Sequence, residues 1–202
     1  MTGRAVWDAL LGEVQQLHLD NADLSGFCTF PTDVQAQEVT AFDIPPRALM
    51  ERDAGLVSQR HGALQDRIKE AGRLAKWRET YKGTNIGADF LNRFGCYSLI
   101  GEGGAYRSAQ MNAWFVYMPA RLWYTWHHHP GEEMYVVLAG EAEFRRGSHT
   151  PETLREGDAV FHQSNQPHAT ETFDQPLLAY VVWRNGFETP PVLTSMEGEL
   201  AQ

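Results

Sequence analysis

The chain of 202 residues is poor in cysteine, short of positive charge and without a long apolar run. Its two cysteines, Cys28 and Cys96, lie far apart and form no CxxC pair, so they read as reduced, partly buried thiols rather than a disulfide framework. Lysine and arginine number 17 against 26 acidic residues, a net charge of -9. That balance argues against nucleic acid and against an anionic membrane, since both are bound by a basic face. No apolar stretch approaches the ~20 residues of a membrane span. The opening MTGRAVWDALLGEV carries acidic residues and no long apolar core, so no secretory signal is expected and the expected setting is reducing and cytoplasmic. No repeat or low-complexity tract appears. The length suffices for one good core and is marginal for two.

What is present changes texture near Gly83. Before it, residues 5–19 read as an amphipathic helix, with Val6, Leu10, Val14 and Leu17 at three- and four-residue steps. His18 near its end is expected at the surface or in a cap. Residues 20–45 carry turn formers and are expected as loop with one short helix. Residues 47–81 are expected as two helices, because Gly55, Gly62 and Gly72 interrupt the apolar stripe. His61 there is expected in solvent. After Gly83, short apolar runs (CYSLI, AWFVYM, MYVVLA, AEFRR, AVFH, LLAYVVW) alternate with turn signals, which predicts an all-β sandwich or barrel. The expected division is therefore a helical region, 1–82, packed on a β-barrel, 83–202. Glu188 to Gln202 is expected as a surface strap.

The densest chemistry lies in WYTWHHHPGEEMYVVLAG, from Trp123 to Gly140. Strand side chains alternate faces, so His127 and His129 share one and His128 points away. Pro130-Gly131 breaks the strand. A hairpin there would bring Glu133 opposite the histidines, with Tyr135, Val137 and Ala139 continuing its face. Downstream, His168 follows the turn residues Asn165 and Pro167. His127, His129, Glu133 and His168 form a candidate metal set. Imidazole and carboxylate are borderline donors that suit Fe, Mn, Ni, Co, Cu or Zn without choosing among them. Four such ligands on an octahedral ion leave two positions for water or substrate. Glu132 and His149 are expected in solvent, and His162 at the rim. Trp123, Tyr124, Trp126 and Trp183 crowd the same region, and aromatic walls suit a cation without hydrogen-bond donors, such as a sulfonium.

The pattern HxHxxxE with Gly140 seven residues on, followed by GDxxxxxxxxPH from Gly157 to His168, resembles the two boxes of the cupin superfamily. The second box has Gln163, Ser164 and Asn165 where cupins often carry Pro-x-Gly, but it keeps the Pro-His pair. The resemblance covers roughly residues 83–187. It implies a mainly β fold, a single cupin (double-stranded β-helix) barrel with the metal inside, here with an N-terminal helical extension.

Tyr124, His127, His129, Glu133, Tyr135, His168 and Trp183, with the helical N-terminal region, resemble more narrowly the cupin-type dimethylsulfoniopropionate (DMSP) lyases. That resemblance implies cleavage of DMSP to dimethyl sulfide and acrylate, one divalent metal (Fe, Zn, Mn or Co) and a small zwitterionic substrate as the partner, in a monomer or homodimer. It implies that His129, Glu133 and His168 hold the metal, that His127 is a further ligand or close neighbour, that Tyr135 is the base and that Tyr124 and Trp183 line the pocket. Strict alternation from His127 instead points Tyr124 outward and Trp123 inward; a bulge near Trp126 would reconcile the two. A cupin dioxygenase and a non-catalytic binding cupin are the alternative readings.

Overall fold

The structure is a computed structural model and describes residues 3–194. Helix α1 (Gly3–Asp20) buries Val6, Trp7, Leu10, Val14 and Leu17, the stripe that the spacing predicts. Helix α2 (Ala22–Phe27) is the one short helix of the following segment; the Asn21 side chain caps it by accepting from the Leu24 N–H at 2.9 Å. Helices α3 (Pro45–Arg52) and α4 (Gly62–Gly72) account for the two expected further on. The second of these helices is expected to run on toward residue 81, but α4 ends at Gly72. Trp77 folds back to donate its Nε1–H to the Gly72 carbonyl at 2.7 Å and bridges to Tyr97. A last helix, α5 (Ala88–Arg93), lies where only strands were expected.

Eleven strands follow or interleave: β1 (Gln35–Ala36), β2 (Gly95–Ile100), β3 (Tyr106–Arg107), β4 (Asn112–Met118), β5 (Leu122–His128), β6 (Glu132–Arg146), β7 (Glu152–Arg155), β8 (Ala159–His162), β9 (His168–Thr172), β10 (Leu177–Arg184) and β11 (Val192–Leu193). Their hydrogen-bonded order is β1-β3-β2-β4-β10-β6-β9-β5-β11, with β7 and β8 also on β6. The long strand β6 belongs to two layers. Its first half pairs with β10 and β8, its second half with β9 and β7. The bend falls at Gly140, where φ is +73° and an added Cβ would sit 1.7 Å from the Pro176 carbonyl oxygen. Only glycine fits such an approach in the left-handed region. The result is the double-stranded β-helix of a cupin barrel with a helical layer outside.

Two apolar cores result. One lies between the helices and the outer face of the β2-β4-β10-β6 layer, and holds Leu10, Ile68, Tyr97, Phe115, Val136 and Tyr180 among others. The other fills the barrel, with Phe94, Tyr124, Tyr135, Val137, Phe144 and Trp183. Residues 134, 136 and 138 face the first core and 133, 135 and 137 the second, the period of two that a strand requires. Ala139 joins Leu138 on the outer core, against expectation, because Leu138 is an extra residue between the pairs Val137↔Ala179 and Ala139↔Leu178.

His18 is also not where the sequence put it. It is buried, its ring between the Cys28 carbonyl (3.1 Å) and the Tyr180 hydroxyl (3.1 Å), because the end of α1 tucks against β10. Burial lowers its pKa from 6.5 to about 4. His61 precedes α4 and is half-buried, not in solvent. Of the expected strap, β11 pairs with β5, Thr194 N–H donates to the Trp126 carbonyl at 2.9 Å, and residues 195–202 lie outside the described residues.

Candidate active site

His127 and His129 come from β5 and its end, Glu133 from the start of β6 and His168 from the start of β9. β5 and β6 do not form the expected hairpin: β9 lies between them. Pro130 and Gly131 instead carry the chain from one layer to the other. Gly131 packs so closely on Trp183 that an added Cβ would stand 2.9 Å from its ring. Glu133 thus meets the histidines across the barrel interior rather than along a sheet.

One atom from each of His129, Glu133 and His168 lies within 4.8 Å of the others, and all three residues are buried. The Nε2 atoms of His129 and His168 stand 3.5 and 3.3 Å from Glu133 Oε2, and neither has a hydrogen-bond partner. Their Nδ1 atoms face backbone carbonyls, of Gly131 at 2.9 Å and of Gln166 at 2.8 Å. A carbonyl only accepts, so Nδ1 carries the proton and Nε2 presents a bare lone pair toward the carboxylate. Two buried lone pairs and a carboxylate that converge without a shared proton are the donor set of a cation site. The group fits one divalent metal of the imidazole- and carboxylate-binding kind.

His127 does not join that group. Its ring stacks on Tyr124 (centroids 4.0 Å apart, planes at 11°) and stands edge-on to His168 at 4.1 Å. Burial and then His168 hold its pKa well below 6.5, so the ring is neutral. His162, expected at the rim, is fully buried because β8 pairs with β6 in the register Glu133↔His162. Its Nδ1–H donates to Glu133 Oε2 at 2.8 Å, and its ring stacks on His168 at 4.2 Å. The other oxygen of Glu133 accepts the Trp183 indole N–H at 2.6 Å, while the Trp183 ring stacks on His129 at 3.8 Å. Burial alone would raise the Glu133 carboxyl; the imidazoles of His129, His162 and His168 gathered round it outweigh burial and hold the group well below the carboxylate range. Glu132, expected in solvent, is half-buried and pairs with Arg184 and Asn185; His149 is exposed as expected.

Tyr124 points inward. On β5 the pairs with β9 run Tyr124↔Thr170 and then His127↔His168, so two residues of β5 oppose one of β9. This bulge inverts the alternation upstream of it: Tyr124 is buried and Trp123 is exposed. The Tyr124 hydroxyl lies 2.9 Å from that of Tyr81, a residue the sequence pattern did not single out because it sits in an irregular segment. Tyr135 lies two residues beyond Glu133 on the same face, and its hydroxyl has no partner among the described residues. Burial, then the charge of Glu133, holds its pKa well above 10. A cavity of about 50 Å³ opens beside these groups, lined by Glu133, Tyr124, Tyr135, Trp183, Trp114, Phe94, Cys96 and Arg78. That is room for a few water-sized groups, the scale of a small molecule.

Among the described residues, no helix is long and apolar enough to cross a membrane. Residues 33–179 match the family described as dimethylsulfoniopropionate lyase. The chain is 51% identical over 191 residues to dimethylsulfoniopropionate lyase DddQ of Ruegeria pomeroyi, covering 95% of each protein. It superposes on the crystal structure of DMSP lyase DddQ from the same organism with a TM-score of 0.93 at 49% identity, covering 96% of this chain and 98% of that one. A chain from the crystal structures of DMSP lyases RdDddP and RnDddQII gives a TM-score of 0.91 at 32% identity, covering 96% of this chain and 100% of the other. With likeness of that extent in sequence and in fold, the chain belongs to the dimethylsulfoniopropionate lyase family and is a lyase.

Proposed function

We propose that the chain cleaves DMSP to dimethyl sulfide and acrylate by β-elimination, with Tyr135 as the base and with a divalent metal held by His129, Glu133 and His168. The observation that carries this reading is the unpartnered Tyr135 hydroxyl in the same cavity as Glu133 of the buried His-Glu-His group. When bound, the metal supplies Lewis-acid withdrawal of electrons from the substrate carboxylate, which makes the adjacent C–H more acidic. The rest is work for the chain's own residues. Tyr135, whose phenolate the nearby divalent charge would favour against burial and Glu133, takes the α-proton; that C–H pair becomes the new C=C bond, and the C–S pair leaves on neutral dimethyl sulfide. No acid is needed for the leaving group, and the proton on Tyr135 returns to solvent. A base must reach to ~3 Å of its proton, which a side chain on the wall of so small a cavity can do.

Tyr124 and Trp183 line the pocket in this reading, and the aromatic wall receives the sulfonium, which offers no hydrogen-bond donor. His127 serves as the neighbour that backs Tyr124 and His168. Fe, Zn, Mn and Co all suit the donor set. The setting is cytoplasmic.

The experiment is headspace gas chromatography after metal reconstitution, run without oxygen. Wild-type protein should release dimethyl sulfide from DMSP, and Tyr135→Phe should lower the rate at least about 100-fold while binding metal as before. Wild-type protein that releases none with any of the four metals refutes the assignment; a fully active Tyr135→Phe refutes the base.

A further inference from the structure

The cavity wall holds one carboxylate, Glu133, and one cation, Arg78. Three other strand arginines have acids: Arg184 pairs with Glu132, Arg145 with Glu171 and Arg146 with Glu152. Arg78 has no ion pair among the described residues; its guanidinium lies over the Trp114 ring, 5.6 Å from the centroid. Trp114 is itself buried, and its Nε1–H lacks an acceptor. An orphaned buried donor is destabilising, so one kept beside a cavity points to an acceptor that enters the cavity.

The two residues also sit at a particular depth. Arg78, Trp114, Trp183 and Pro191 line both the inner cavity and a larger outer groove of about 430 Å³, whereas Glu133, Tyr124 and Tyr135 line only the inner one. Arg78 and Trp114 therefore form the neck. The groove outside carries Glu102 and Glu188 as well as Arg107, a mixed charge, so the positive potential is local to the neck. Arg78 acts inward as well. Burial raises the Cys96 thiol to about 11 and raises Tyr81 further, and the Arg78 charge opposes both. In a protein of net charge -9, an anion entering the inner cavity meets an arginine that has no ion pair among the described residues.

We propose that Arg78 and the Trp114 Nε1–H form a carboxylate anchor at the neck of the cavity, which orients the anionic end of the substrate. The anchor rests on the reading of the cavity as a substrate site. A carboxylate has about four lone-pair directions, so an oxygen engaged on its inner side by a metal still leaves acceptors for a guanidinium and an indole N–H. With its anionic end held by both the neck and the metal, the substrate is kept from turning round in the cavity. The specificity this gives is for 3-carbon acids with a cationic far end over plain sulfonium cations.

The test separates the two ends of the substrate. Propionate probes the anionic end and ethyldimethylsulfonium the cationic end, each titrated into metal-loaded protein and read by tryptophan fluorescence and calorimetry. Arg78→Gln should weaken propionate at least about tenfold, and Trp114→Phe, which keeps a ring, about threefold or more. Both should leave ethyldimethylsulfonium within about twofold. Arg78→Lys, which keeps the charge and loses the fork, should fall between Arg78→Gln and wild type. If either main variant binds propionate within about twofold of wild type, or if both probes weaken together, the anchor is wrong. These readouts need no turnover, so failure of the lyase reading, seen as no dimethyl sulfide from wild-type protein, is a separate result.

Discussion

Glu133 is a buried carboxylate whose two oxygens are divided between the barrel and the candidate metal site. Oε1 accepts from Trp183, and Oε2 accepts from His162 while facing the free nitrogens of His129 and His168. An ionised group inside a protein costs several kcal/mol unless donors surround it, and these donors also fix which way its lone pairs point. His162 is thus a positioning residue. His162→Phe keeps a ring to stack on His168 and removes the N–H. Metal affinity should fall roughly 10- to 100-fold, measured by competition with a chelator. An unchanged affinity would mean that His162 only packs. Tyr135 was legible from sequence because it lies two residues from Glu133 on one strand. His162 was not, because its place depends on which strand β8 pairs with, and nothing local in AVFH states that.

At the scale of the element, α1 and β5 show how a local pattern is modified by a neighbour. The apolar spacing of α1 is satisfied by the outer core, but the helix end reaches β10 and carries His18 into it. With a folded pKa of about 4 and an unfolded value near ~6.5, the unfolded chain binds the extra proton between these limits. The neutral ring's contribution is fully present above pH ~6.5 and is lost as pH falls toward 4, up to about 3 kcal/mol in all. His18→Gln should therefore lose less stability than wild type between pH 7 and pH 4.5 in urea unfolding. The difference between the two proteins isolates His18 from the site histidines, and equal slopes would place the acid sensitivity elsewhere. In β5 the bulge before His127 turns Tyr124 inward, a change of face that alternation cannot foresee because the extra residue is defined only against β9.

For the whole molecule, the candidate ligands join parts of the barrel that are remote along the chain. His129 and His168 stand at the ends of two neighbouring strands, and Glu133 stands on the half of β6 that pairs with β10 and β8. An ion held there binds only the folded chain. At 100 times its dissociation constant it adds about 2.7 kcal/mol, which for a chain of this size raises Tm by about 5–10 °C. Calorimetry with metal and with chelator should show that rise, and Glu133→Gln should abolish it. A Tm indifferent to metal in wild-type protein would mean that the His-Glu-His group holds none. The helices share a core with the same sheet, so heat should melt helix and barrel signals together.

The sequence by itself determined the class of the fold, the helical stripe of α1, the glycine at the bend of β6 and the residue types that gather at the site. Those properties are set by period, by φ and by donor chemistry, all of which are local. Only the tertiary structure decided that Glu133 faces the histidines across two layers, that His127 stacks between Tyr124 and His168 beside the His129-Glu133-His168 group, and that His162 holds the carboxylate. The same holds for Arg78 at the neck of the cavity, since charge in a sequence carries no sign of whether a partner will be near. Strand pairing and ion pairing are relations between distant residues, and a pattern read along one segment contains half of each.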